Sequence, residues 1–231
     1  MRVFVLTSCV AKKKYSEADI KPVLEKHGLS MPTCDLEKEE KYKEVLKDFV
    51  LPAFQMYQGT FNYVKDLVNK YREKGDQVEL RIISARYGLI SEETPIVPYE
   101  CTFQYFRKNK IRQTAEKLRI YENLLEFLEK NEFDRSVVIL GKDYLLTVFD
   151  QKRGIDFLSQ MKTKQLVVFA SIGLQSKVTF RKENLVFVSV SGIGDRNKKI
   201  REFINSIGSC QRTPAESFCL GEKTVDSKST D

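Results

Sequence analysis

Apolar residues fall along this chain in two rhythms. Five short runs rich in Val, Ile and Phe (residues 3–6, 80–83, 137–140, 166–169 and 185–190) are continuous rather than alternating, which predicts strands buried on both faces. Between them, apolar positions recur every three or four residues. Tyr42, Val45, Leu46, Phe49 and Val50 predict one helix, and beyond Pro52 a second carries Phe54, Tyr57, Phe61, Val64, Leu67 and Tyr71. Ile111, Ala115, Leu118, Tyr121, Leu125 and Leu128 predict one long amphipathic helix, and Ile200, Phe203 and Ile204 a short one over residues 196–207. The alternation of the two rhythms predicts an α/β fold, with a mainly parallel central sheet of about five strands and helices on both faces.

Residues 16–40 break the pattern with Pro22, Gly28, Pro32 and a run of charge, and predict a loop or partly helical excursion. Periodicity ends near Ser209, where Ser, Thr, Lys and Glu take over. This predicts a single α/β domain over residues 1–208 and a flexible C-terminal tail over 209–231. A chain of 231 residues with 42% hydrophobic content can bury one core, or one core plus a small subdomain.

Charge sharpens the picture. An excess of 39 Lys and Arg over 32 Asp and Glu, net +7, favours polyanionic partners, although a lysine-rich solvated surface gives the same sum. The start, MRVFVLTS, reads as a strand rather than a signal peptide, and no apolar run approaches membrane-spanning length, so the expectation is a cytoplasmic protein with no membrane partner. Five cysteines without CxxC spacing argue against a structural zinc site or a disulfide framework; Cys210 and Cys219 could pair in the tail. His27 is the only histidine. Triads and histidine metal sites are thereby disfavoured, no cofactor is called for, and acid or base work would fall on Glu92, Glu100, Asp143 or a tyrosine.

Chemistry concentrates where strands end. The first strand runs into Ser8, Cys9 and the Lys12, Lys13, Lys14 run; the second into Ser84, Arg86, Tyr87 and Gly88; the third into Gly141 and Tyr144. A turn that only reversed direction would use Gly, Asn, Asp or Pro, whereas a cation, a phenol and a hydroxyl around one Gly suit an anion or a planar ring. In open parallel sheets ligands sit outside the carboxyl ends of the strands, so these segments should converge.

The ordered series SC-x-x-x-K, Y-x-G at Tyr57 and Gly59, SARYGL from Ser84, PYE-x-T around Tyr99, and LGKDYL resembles the YaaA-like superfamily over roughly residues 1–150. It is most similar to an uncharacterised branch with SCS-x-K and LSAKYGL motifs. Val10 stands where that branch has a second Ser, and either Lys12 or Lys13 aligns with the motif lysine. The first loop also resembles, more weakly, the Pro-Cys-Ser-Lys motif of archaeosine synthase, in which a lysine takes part in chemistry on a modified base. The resemblance implies a nucleic-acid or nucleotide partner.

Two function classes follow. In the first, a nucleobase or nucleotide pocket acts on a base or an N-glycosidic bond, with Lys13 and Cys9 as catalytic candidates and Ser8, Tyr57, Gly59, Ser84, Arg86, Tyr87, Gly88, Tyr99 and Tyr144 around the ligand. In the second, a DNA- or RNA-binding protein of the stress-response type works without turnover, using Lys12, Lys14, Arg107, Lys108, Lys110 and Arg112 on backbone phosphate. Each candidate has a plainer reading: Cys9 and Tyr57 as core, Tyr87 and Gly88 as turn builders, the lysine run as solvated surface. The late SGIGDRN segment resembles a phosphate loop, but its Asp195 suits a helix cap and would repel phosphate.

Overall fold

A computed structural model describes residues 1–148, 156–171, 173 and 184–209. Its centre is a six-stranded sheet in the order β4-β3-β1-β6-β7-β8, formed by β1 (Arg2–Ser8), β3 (Gln77–Ser84), β4 (Gly88–Ser91), β6 (Glu132–Ile139), β7 (Lys162–Ala170) and β8 (Leu185–Ser189), while β2 (Leu51–Pro52) and β5 (Pro95–Ile96) pair apart from it. All five predicted runs are in it, and all five pair in parallel. The sixth strand is β4, which folds back antiparallel onto β3. Val3, Phe4, Val5 and Leu6 are wholly buried, as a central strand covered on both faces requires.

Helices supply the cover. Besides the single turns α3 (Ala53–Met56) and α7 (Lys142–Leu145), they include α4 (Asn62–Glu73), which buries Val64, Leu67, Val68 and Tyr71, α6 (Ile120–Glu129), which buries Leu124 and Leu128, and α8 (Ile193–Ser209), with Ile200 and Phe203 inside. The predicted helix over Ile111 to Leu128 is in fact two, α5 (Lys108–Lys117) and α6. Arg119 breaks them with a left-handed backbone (φ 50°). The β3–β4 turn passes close to this break: Gly88 holds φ +75° there, and a Cβ on it would stand 3.0 Å from the Leu118 carbonyl oxygen, so the position needs glycine.

The stretch 16–40 takes the partly helical form of the two its sequence allows. Ser16 donates both its N–H and its hydroxyl to Asp19, starting α1 (Glu17–Lys26), and α2 (Glu39–Val45) follows. Ile20, Leu24, Leu29, Tyr42, Leu46 and Val97 form a small core of their own. The expectation of no disulfide is corrected here: Cys34 and Cys101 are bonded, with Cα atoms 5.1 Å apart. Sequence spacing could not show this, because the partners are 67 residues apart and meet only when the excursion packs on the 95–102 loop, where Glu100 N–H donates to the Pro32 carbonyl and Val97 joins the small core. No helix among the described residues is long and apolar enough to cross a membrane. The expected tail beyond Ser209, with Cys210 and Cys219, lies outside the described residues.

Parallel register aligns the strand ends. Ser8 stands opposite Ile83, and Thr7 opposite Ile139, so the carboxyl ends of β1, β3 and β6 form one edge.

Candidate functional site

The first strand continues one residue past its end. Cys9 N–H donates to the Ile83 carbonyl at 2.9 Å, which fixes Cys9 in the interior with its sulfur 3.0 Å from the Tyr144 hydroxyl. Across the sheet edge, Ser84 Oγ accepts from the backbone N–H groups of Arg86 and Tyr87 and lies 2.9 Å from the Tyr99 hydroxyl. Tyr99 in turn is 2.8 Å from the Tyr57 hydroxyl. The result is a buried chain of hydroxyls, Ser84 to Tyr99 to Tyr57, with the Cys9–Tyr144 pair as a second polar contact in the same core.

Lysine placement follows from strand-like pairing. Lys14 N–H donates to the Met56 carbonyl and Gln58 N–H to the Lys12 carbonyl, with Lys13 bridged antiparallel to Tyr57. Side chains alternate along such a segment, so Lys13 turns inward while Lys12 and Lys14 stay exposed. Lys13 is therefore the buried lysine of the run. Its ammonium lies 4.0 Å from the ring centre of Tyr99 and 6.0 Å from that of Tyr57, and it donates to the Ala11 carbonyl at 3.1 Å. Among the described residues it makes no salt bridge. Burial pulls its pKa below the ordinary lysine value, with Cys9 and Glu100 offsetting part of that pull. Burial likewise raises the phenols of Tyr57, Tyr99 and Tyr144 well above the ordinary range.

Arg86 does not face a ligand. Its side chain is wholly buried, with one terminal nitrogen 2.6 Å from Glu39 and the other donating to the carbonyls of Thr33 and Asp35. Glu39 also accepts from the Tyr87 hydroxyl at 2.9 Å, and Tyr87 accepts from Val97 N–H. Burial, then the Glu39 charge, raises the Tyr87 phenol. The expected anion fork is thus an internal tie between the turn after β3 and the 33–39 excursion. Glu39 is the residue that sequence reasoning missed, since nothing separates it from the surrounding charge run. Gly88 likewise serves the turn, as its contact with Leu118 shows.

Above Lys13 the surface opens into a depression of about 620 Å³, lined by Lys12, Lys13, Lys14, Lys65, the amides of Gln55, Gln58 and Asn62, and Gly59. No carboxylate lines it. Gly59 has φ +68°, and a Cβ there would press at 3.4 Å on the Lys12 stem. Burial and the nearby Lys14 lower the pKa of Lys65. The other basic candidates stand apart from this lining: Lys108 and Lys110 are exposed on α5, Lys110 covering the Phe106 ring, and Arg112 is half-buried. Glu92 is paired with Arg72, Glu100 is exposed, and Ser8 lies on a separate cleft with Arg196.

The structure therefore brings Cys9, Lys13, Tyr57, Ser84, Tyr99 and Tyr144 together, and removes Ser8, Arg86, Gly88 and the α5 cations from that group. Residues 44–170, more than half of the chain, match the model of a family of unknown function (DUF6884). No curated protein matches the chain.

Proposed function

The chain belongs to that family of unknown function, and from the site's geometry we propose that it is a nucleic-acid-linked protein that holds a nucleotide or nucleic-acid segment in the lysine depression. The observation that carries the reading is the position of Lys13: an amine desolvated among aromatic rings, with no salt bridge among the described residues, lining a depression that bears three further lysines. Lys12, Lys14 and Lys65 suit backbone or nucleotide phosphate, while the amides of Gln55, Gln58 and Asn62 suit base or sugar edges.

A lowered pKa gives Lys13 a larger neutral fraction, and the neutral amine is a nucleophile. At an N-glycosidic bond it would attack the anomeric carbon; the carbon–nitrogen bond breaks, the base leaves with the bonding pair, and the proton lost by the attacking amine goes to the base. Ring opening then gives an imine between Lys13 and the sugar. Tyr57 and Tyr99, held protonated by burial, position the amine and can donate hydrogen bonds. Borohydride reduction during incubation with single-stranded oligonucleotides or nucleosides tests this. The expected result is a covalent adduct mapped to Lys13 and absent from Lys13→Ala; no adduct with any substrate removes the catalytic part of the reading. A second reading, binding without turnover, is favoured by the openness of the depression and its freedom from carboxylates. It predicts salt-sensitive oligonucleotide binding with no adduct.

A further inference from the structure

The sheet order places β3 on one side of β1 and β6 on the other, so the chain reverses its direction of winding between the ends of β1 and β6. In open α/β sheets the crevice at such a reversal is the place where ligands collect. Here it holds a narrow cleft, distinct from the lysine depression and separated from it by the 3-10 turn Gly59–Phe61, whose residues line both.

The cleft is built to receive negative charge. Its polar lining is the hydroxyls of Thr7, Ser8 and Thr60, the Asn197 amide and the Arg196 guanidinium, with no carboxylate. Arg196 makes no salt bridge among the described residues, and its Nε is buried with no hydrogen-bond partner. A buried N–H of this kind normally finds an acceptor, and Arg196 is half-buried, so leaving its Nε unpaired carries a cost. Burial with nothing to offset it pulls Arg196 below its ordinary pKa. A terminal nitrogen of Arg196 lies 3.8 Å from the place a Cβ would occupy on Gly141, so the side chain lies against the end of β6, where glycine leaves room. The carboxylate that threatened this region in the sequence is engaged elsewhere: Asp195 accepts from the N–H and hydroxyl of Ser191 and pairs with Lys199 at 3.3 Å.

We infer that Arg196, with Thr7, Ser8 and Thr60, forms a phosphate-binding cleft at the point where the sheet reverses, a second anion site beyond the lysine depression. The cleft's free volume is only about 20 Å³, enough for one or two waters. One or two phosphate oxygens enter it and a nucleobase does not. The phosphate comes either as the free ion or as the monoester end of a nucleotide.

Calorimetric titration of the full chain with inorganic phosphate and with adenosine monophosphate tests the site, in wild type, Arg196→Ala, Arg196→Lys, Thr60→Ala and the Lys14→Ala/Lys65→Ala double variant. The expected pattern is inorganic phosphate binding kept in the lysine double variant and weakened about tenfold or more in Arg196→Ala, the size of a lost charged hydrogen bond. Arg196→Lys should recover only part of it, because lysine offers a point charge in place of a fork. Thr60 is exposed and its loss leaves the core intact, so a several-fold weakening in Thr60→Ala keeps the test decisive if Arg196→Ala fails to fold. Arg196-dependent binding of both ligands assigns a monoester site, and of phosphate alone a free-ion site. Phosphate affinity equal in wild type, Arg196→Ala and Thr60→Ala, or binding lost only in the lysine double variant, overturns the inference. So does no binding of either ligand at millimolar concentration.

Discussion

The Lys13 ammonium stands 4.0 Å from the centre of the Tyr99 ring, and the hydroxyl of that same ring bonds to Ser84 and Tyr57. One side chain thereby couples a buried cation to a buried hydroxyl chain. The ring face offers the ammonium partial compensation for lost water, of the order of 0.5–2 kcal/mol, which is less than full hydration supplies. This imbalance is why the amine's pKa falls, and it gives the first prediction its sign.

Lys13 is protonated less readily in the folded chain than in the unfolded one, so between its lowered pKa and the ordinary 10.5 the unfolded state binds more protons. Stability should rise with pH across that window. Lys13→Met removes the penalty. The variant is expected to be more stable than wild type near neutral pH, with the gap narrowing as pH climbs toward 10.5. Urea denaturation of both proteins at several pH values reads this directly, and a gap that widens with pH would show that Lys13 is not the desolvated group.

Arg86 and Glu39 are a buried ion pair 2.6 Å long, so removing either partner strands the other's charge. Arg86→Ala and Glu39→Ala should each cost about 3–5 kcal/mol, while the double apolar replacement Arg86→Met/Glu39→Leu should recover much of the loss. Arg86→Lys should also destabilise, because one ammonium cannot serve Glu39 and two carbonyls in the guanidinium's planar geometry. If Arg86→Ala instead melted like wild type and lost only ligand binding, the arginine would belong to the site after all.

The contrast between Lys13 and Arg86 shows what the sequence carried and what it did not. Strands were legible because buried segments leave continuous apolar runs, as β1, β3, β6 and β7 do; β8 shows the same run but lies at the sheet edge, where only Val188 is buried, so burial on both faces does not hold there. Polar residues at their ends could be located for the same reason. Which way those residues point could not. Lys13 faces inward because of an antiparallel bridge to Tyr57, a pairing between loops with no local signature. Arg86 is consumed by Glu39, 47 residues away in a charged stretch that looks solvated. The break at Arg119 was hidden because the apolar spacing runs through it, and the tight approach of Gly88 to Leu118 beside it shows only in the structure. Cys34 and Cys101 meet through the same folded excursion.

Tyr99→Phe should separate the ring from the hydroxyl. The ring face over Lys13 remains, but Ser84 and Tyr57 lose their shared partner inside the core. The expected cost is about 1–3 kcal/mol, from leaving a buried polar group unsatisfied. Chemical denaturation measures it. A neutral substitution would mean that the two hydroxyls find each other or water once Tyr99 is gone.

The last prediction asks which lysines meet a polyanion. Phosphate contacts release counterions, so oligonucleotide affinity should fall steeply with salt, on the order of a thousandfold between 50 and 200 mM for about six contacts. Lys12, Lys14 and Lys65 share one depression without a carboxylate, whereas Lys108, Lys110 and Arg112 sit on α5 outside its lining. Lys12→Ala/Lys14→Ala/Lys65→Ala should therefore flatten the slope by about three contacts, and Lys108→Ala/Lys110→Ala/Arg112→Ala should change it little. Fluorescence anisotropy of a labelled single strand at several salt concentrations compares the two. If the α5 triple variant flattens the slope instead, nucleic acid runs along that helix and the depression serves a smaller ligand. A wild-type protein with no binding even at low salt would leave a free nucleotide as the ligand to seek over Lys13.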